Sequence, residues 1–280
     1  DKILALGSNR EMLALAGPGT RKVNLNGRTV LPGMILTHEH PTDWAWTEPT
    51  GLAQVFPEGN EHLLVRFLEG DAEQQLANWE DGLRQAVKDA KPGQWILLSS
   101  DWGSNFEYMG ELFPKFLPPI TRQRLDELAP DNPVRIKNSW VDGLVNTRAL
   151  EEVARVFPEQ KIEGRGNRGP TGRQLEPDVI LHNKVELNAE LLKAQMELWA
   201  AHGVTVYGSS PYTIGNLKAL RLLDESGRMP GRFAWSYTGP DLHYQTIRLV
   251  SALLGNGTDY LWNIGAHGER SGGNCTTLPA

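Results

Sequence analysis

The sequence predicts an α/β protein on a parallel sheet, with a (β/α)8 TIM-type barrel as the main architecture. Strand-length apolar runs alternate with amphipathic helical stretches from about residue 30 onward, which is the pattern of βα units around a parallel sheet. The run Leu31-Pro32-Gly33-Met34-Ile35-Leu36-Thr37 stops abruptly at His38-Glu39-His40. It reads as a buried strand that delivers two imidazoles at its C-terminal tip, the end at which barrel enzymes build their sites. About five strands follow the leading segment, fewer than the eight a closed barrel needs, so the chain reads as the front part of a larger barrel.

Residues 1–30 alternate short apolar runs with Gly and Asn, which suits a few β-strands, and Glu11 to Ala16 suits one helical turn ended by Gly17-Pro18-Gly19. Residues 41–60 hold Pro41, Pro49 and Pro57 and read as a long loop of the kind that usually serves function. From His62 to Lys91 the spacing of Leu64, Phe67, Leu68, Leu76, Trp79, Leu83 and Val87 is helical, and Lys91-Pro92-Gly93 ends it. Gln94 to Ser100 is a strand opening into Asp101-Trp102-Gly103. Residues 118–130 form a Pro-capped helix, 132–138 a strand, and Asn146 begins a further helix.

The glycine-rich stretch 163–174 carries Arg165, Arg168 and Arg173 but lacks the spacing of a phosphate loop, and it reads as an insertion or lid. A helix over 187–201, a strand over 204–208, a helix over 216–225, a strand over 231–237, a helix over 244–254 and a strand over 260–264 complete the series. The predicted division is a small β segment over 1–30 followed by the barrel part over 31–280.

Composition excludes several classes. The 280 residues are 40% hydrophobic and 22% charged, ordinary for a soluble globular protein, and 28 Lys and Arg against 34 Asp and Glu give a formal charge of −6. With a pI near 5.7 and no basic run, nothing points to nucleic acid. No stretch approaches the roughly 18 consecutive apolar residues of a membrane span. The chain starts at Asp1, which leaves its compartment open. The single cysteine, Cys275, excludes an internal disulfide and reads as a loop residue.

The chemistry centres on His38 and His40. Side chains at i and i+2 of a strand share a face, so the two imidazoles form half of a site for Zn²⁺ or a similar divalent ion, with Glu39 facing away. A catalytic zinc takes about three protein ligands plus water, so the pair is necessary and incomplete. His267 is the best internal candidate for a third ligand, although an exposed loop histidine is the commoner outcome. His62, His182, His202 and His243 read as structural or solvated, and Glu176 as a loop glutamate, ligand or solvated. Asp101 and Trp102, at a strand's C-terminal end, read as substrate-pocket lining. Nine tryptophans, among them Trp44, Trp46, Trp102, Trp140 and Trp235, suggest an aromatic pocket.

These residues carry a resemblance. Pro32-Gly33 before the apolar run and the turn Asn24-Leu25-Asn26-Gly27-Arg28 are similar to the first barrel strand of the amidohydrolase superfamily. Leu128-Ala129-Pro130-Asp131-Asn132-Pro133-Val134, Val145-Asn146-Thr147-Arg148-Ala149-Leu150, Thr171-Gly172-Arg173-Gln174-Leu175-Glu176 and Gly203-Val204-Thr205-Val206 resemble, in order, amidohydrolase family 3, the YtcJ-like and N-substituted formamide deformylase-like group. The resemblance implies an N-terminal β-sandwich segment built from both chain ends, and metal ligands at His38 and His40. It also implies hydrolysis of an amide or other non-peptide C–N bond of a small molecule by metal-activated water. A deaminase of the same superfamily is the alternative, and a catalytically inactive scaffold another.

Zinc is the expected metal, with iron or manganese possible. The family's bridging lysine is absent from Asp259-Tyr260-Leu261-Trp262-Asn263, and the histidine before its Val-Asn element is absent from Ser139-Trp140-Val141-Asp142-Gly143, which favours one metal. The implied general base and later ligands lie beyond Ala280. A homo-oligomer, or pairing with a missing C-terminal half, is therefore expected.

Overall fold

The structure, a computed structural model, describes residues 3–138, 143–160, 171–239 and 244–268. It divides into two units, Asp1–Pro32 and Gly33–Ala280. Trp140, Arg165, Arg168, His243 and Cys275, and the side chain of His267, lie outside the described residues.

In the first unit, helix α1 (Asn9–Ala14) is set by a capping box: Ser8 Oγ accepts from Glu11 N, and Glu11 Oε2 accepts from Ser8 N at 2.8 Å. The Ser8 hydroxyl, which donates to Glu11 Oε2 at 2.7 Å, and then the Ser8 N–H hold the Glu11 carboxyl below the usual carboxylate range. The strands expected over 1–30 do not form among the described residues. The turn itself does: Asn26 and Gly27 both take positive φ, and Arg28 N donates to Leu25 O at 3.0 Å. A turn without a third strand or an apolar face to pack on does not hold a ladder in water.

The described residues of the second unit form two four-stranded sheets. β1 (Met34–Leu36) leads through α2 (Pro41–Trp44) and α3 (Pro49–Val55) to β2 (Leu63–Phe67), α4 (Ala72–Asp89), β3 (Trp95–Ser99), α5 (Met109–Lys115), α6 (Arg122–Leu128), β4 (Val134–Lys137) and β5 (Gly143–Val145). Then come α7 (Thr147–Val156), a π-helix (Leu175–Ile180), α8 (Val185–Ala200), β6 (Val204–Ser209), α9 (Ile214–Glu225), β7 (Arg232–Gly239), α10 (Tyr244–Ser251) and β8 (Leu261–Gly268). The first sheet has the order β1-β6-β7-β8 and is parallel throughout. The second has the order β2-β3-β4-β5, parallel except for the last pair.

This corrects the placing of every strand in one sheet. The strands at 95–99 and 134–137 do not continue the sheet that holds β1. They belong to the second sheet, inserted between the spatial neighbours β1 and β6, and a closed barrel does not form among the described residues. The expected helix over 62–91 is also shorter. Leu63–Phe67 is β2, paired in register with Trp95–Ser99, and Asp71 starts α4 through a capping box with Gln74. β1 is an edge strand rather than a buried one, with Met34 58% and Ile35 62% exposed.

Two apolar clusters hold the unit together. One lies on one face of the second sheet, where Trp79 and Leu83 of α4 and Leu112, Phe116 and Leu125 meet Ile96, Leu98, Val134 and Ile136. Arg124 locks α6 to α4 through a bidentate pair with Glu80, at 2.8 and 2.6 Å. The other cluster joins Trp95, Leu97 and Val145 of the second sheet to α7, the π-helix, α8, α9, Tyr207 and Phe233.

Asn146 joins β4, β5 and α7. Fully buried, it accepts from Val134 N at 2.9 Å and Ala149 N at 3.0 Å and donates to Ala129 O and Asn132 O. Replacing it with alanine leaves four buried backbone groups without this partner. Asn146→Ala is expected to cost about 3 kcal/mol or more in urea unfolding with an unchanged m-value.

Candidate metal centre

His38 and His40 lie just past β1, and their ring centroids are 5.1 Å apart at 70°. Pairing between β1 and β6 sets the loop that carries them. Gly208 leaves room for the Thr37 carbonyl, which would lie 2.9 Å from a Cβ there, and Ser209 Oγ donates to the Glu39 carbonyl. The segment after β6 supplies Tyr212, whose hydroxyl is 2.8 Å from His40 Nδ1 and whose ring stacks on the imidazole at 5.4 Å.

Two charged groups complete a ring around His40. Asp43 Oδ2 is 3.6 Å from His40 Nδ1 and accepts from Arg173 Nε at 3.0 Å, while the Arg173 guanidinium sits 3.9 Å over the Tyr212 ring. The tautomer protonated at Nδ1 donates to the Tyr212 oxygen and leaves Nε2 as a lone-pair donor. Two adjacent imidazoles, one oriented in this way, fit half of a zinc-type ligand set. No group of three His, Cys, Asp or Glu side chains suited to a metal ion gathers among the described residues.

Of the other histidines, His182 and His202 engage backbone carbonyls of their own chain segments, and His62 lies 4.0 Å from Glu61. Glu39 does not simply face away. Its Oε1 accepts from His40 N and from Trp44 Nε1, the latter at 2.6 Å, and the side chain lines a cleft of about 1230 Å³. Asp101 and Trp102 line the same cleft. Gln75 clamps the Asp101 backbone from both sides, at 2.8 and 2.9 Å. The Trp102 ring meets Phe106 and Phe113 edge-on, and Phe106 reaches Trp44, so an aromatic series runs along the wall. The buried Trp102 Nε1–H has no acceptor among the described residues.

Behind the histidine ring lies a buried charge cluster. β4 places Arg135 and Lys137 on one face, and both bind Glu176 Oε1, at 3.2 and 3.0 Å, with all three side chains at most 3% exposed. The π-helix brings Glu176 there, so it is a buried ion-pair partner and not a solvated loop residue. Burial alone would push the Glu176 carboxyl up, but Lys137 and Arg135 outweigh it and its pKa lies below the ordinary value. Burial pushes the Lys137 ammonium down, against the pull of Glu176. Reading the sequence in order missed Tyr212, Asp43 and Gln75. The only signal was Asp43, one helical turn from His40.

Residues 21–261 match the profile of an amidohydrolase family. N-substituted formamide deformylase of Arthrobacter pascens is 26% identical over 245 residues, covering 82% of this chain and 41% of that protein. Protein LONG AFTER FAR-RED 3 of Arabidopsis thaliana is 30% identical over 182 residues, covering 64% of this chain and 26% of that protein. The chain thus spans well under half the length of these two relatives. Among solved structures, an uncharacterized metal-dependent hydrolase from Pyrococcus horikoshii OT3 aligns with a TM-score of 0.49 at 20% identity, over 92% of this chain and 46% of that one.

Two outcomes follow from the geometry. Glu176→Gln strips two buried cations of their counter-charge and is expected to cost about 3–5 kcal/mol near neutral pH. Because the folded pKa is lowered, that stabilisation is present above the ordinary glutamate range and is lost as pH falls through the folded value, so the gap between wild type and variant in denaturant titrations narrows in acid. Tyr212→Phe is expected to weaken metal binding at His40 by about 10-fold in competition with a chromophoric chelator while leaving Tm within a few degrees. With residues 21–261 matched, the chain belongs to the amidohydrolase family.

Proposed function

We propose that this chain forms the metal-binding part of a hydrolase that cleaves an amide or other non-peptide C–N bond of a small molecule. The observation that carries the reading is the imidazole pair after β1, with His40 oriented by Tyr212 and Asp43. His38 and His40 would hold the metal, with zinc proposed first and iron or manganese next. When bound, a divalent metal supplies Lewis-acid polarisation and lowers the pKa of water.

The chain's own groups set up the rest. Gln75 fixes the Asp101–Trp102 backbone so that the Trp102 ring keeps its position on the cleft wall. The aromatic series from Trp44 through Phe106 to Trp102 offers an apolar wall for an N-substituent.

The test is elemental analysis together with hydrolysis of a panel of N-substituted formamides and N-acyl amines by the full chain. Stoichiometric metal and turnover are expected, and both should fall at least about 100-fold in His38→Ala and in His40→Ala. Unchanged metal content in both variants, or turnover that survives them, would sink the proposal. Ammonia release from an amino-substituted heterocycle instead of amide cleavage would identify the deaminase alternative.

A further inference from the structure

The described end of the glycine-rich stretch, from Thr171 onward, is pinned on both sides of Arg173. The Thr171 carbonyl accepts from Arg135 Nη1 at 3.0 Å, Leu175 is fully buried, and Glu176 pairs with Arg135 and Lys137. Both cations belong to β4, so the backbone that carries Arg173 is fixed by the second sheet. The Arg173 side chain leaves this anchor for the histidine loop. Its Nε donates to Asp43 Oδ2 at 3.0 Å, and its guanidinium carbon lies 3.9 Å from the centre of the Tyr212 ring. At 17% exposure the side chain is mostly out of water, and Asp43 at 5% is more so.

The two groups that Arg173 grips are those that hold His40. Asp43 Oδ2 lies 3.6 Å from His40 Nδ1, and the Tyr212 hydroxyl lies 2.8 Å from the same nitrogen, with the two rings stacked at 14°. Neither would keep its place unaided. A carboxylate this buried needs a counter-charge, or it draws the nearest N–H towards itself. Tyr212 sits at φ +57°, where local backbone preference does not hold a bulky residue. A guanidinium serves both at once, because it donates in its plane to a carboxylate and offers its face to a ring. An ammonium could pair with Asp43 but has no face for Tyr212.

We propose that Arg173 is a positioning residue of the metal half-site, acting on the His40 imidazole through Asp43 and Tyr212. The inference rests on the reading of His38 and His40 as metal ligands. It gives the glycine-rich stretch a role other than that of a lid: its end carries one side chain from an anchor on the second sheet to the loop that follows β1. The role is geometric. A ligand ring turned by more than about 20° no longer aims its lone pair at the ion, and groups that orient a ligating histidine contribute to affinity although they never touch the metal.

The place of the imidazole can be read without metal, so the two ideas fail separately. In proton NMR spectra of the metal-free full chain, the His40 ring signals, assigned by their loss in His40→Ala, are expected to be displaced by the stacked Tyr212 ring. Arg173→Met keeps the stem and removes the charge and the face. It should move those signals towards their unstacked positions while the signals of His62, His182 and His202 stay in place. Arg173→Lys restores the charge alone and should fall between. Zinc affinity against a chromophoric chelator is expected to drop about 10-fold in Arg173→Met. The same change should cost less than about twofold once Asp43→Asn and Tyr212→Leu have removed both partners. A wild type that binds no zinc would end the hydrolase reading, and the spectra would still decide this one. His40 signals unmoved in both Arg173 variants, all histidine signals moving together, or a zinc loss of full size in the triple variant would each overturn the proposal.

Discussion

The parallel pairing of β1 with β6 is the constraint on which the rest of the second unit depends. Met34 lies against Val204 and Leu36 against Tyr207, so two strands that touch are separated in sequence by the whole second sheet. The seam is tight. A Cβ at Gly33 would collide with the Thr205 side chain, and one at Gly208 would press on the Thr37 carbonyl. Only at that spacing does the end of β6 reach the histidine loop, with Ser209 on the Glu39 carbonyl and Tyr212 on His40. Shifting the register by one residue would turn Tyr207 out of the core and remove both contacts.

Charge is distributed in layers around this seam. The face of β4 that β3 continues with Trp95 and Leu97 carries Arg135 and Lys137, which are tolerated because the π-helix supplies Glu176. Next to them buried Asp43 pairs with the partly buried Arg173, and Asp43 also acts electrostatically on Lys137. The imidazole that would meet a metal is thus fixed by a carboxylate and a phenol that are themselves held by an arginine. The cleft on the other side of Glu39 is built in the opposite way, with acids held by neutral N–H groups.

Local features were legible in the sequence; their assembly was not. Asn146 read as a helix start because its side chain caps α7, and the helices ending at Ala200 and Glu225 followed from apolar periodicity. The alternation of strand and helix gave parallel units but carried no information on which sheet each strand would join, so β3 and β4 were expected in one barrel with β1. Leu64, Phe67 and Leu68 satisfied a helical spacing while belonging to β2 and its end, since a five-residue strand is too short for the two periods to separate. The burial of Glu176 did have a signal. Val134-Arg135-Ile136-Lys137 alternates apolar and cationic residues, and a strand with two cations on one face needs an acid opposite it.

Tyr212 contributes more than its hydroxyl. Its backbone sits at φ +57°, a region that side-chain-bearing residues avoid at a cost of order 1 kcal/mol. Glycine or asparagine would hold the same turn with less strain. Selection for heat resistance alone therefore pushes this position away from tyrosine, while its bond to His40 and its stack under Arg173 push back. A tougher variant selected at this loop position would therefore come with a looser imidazole.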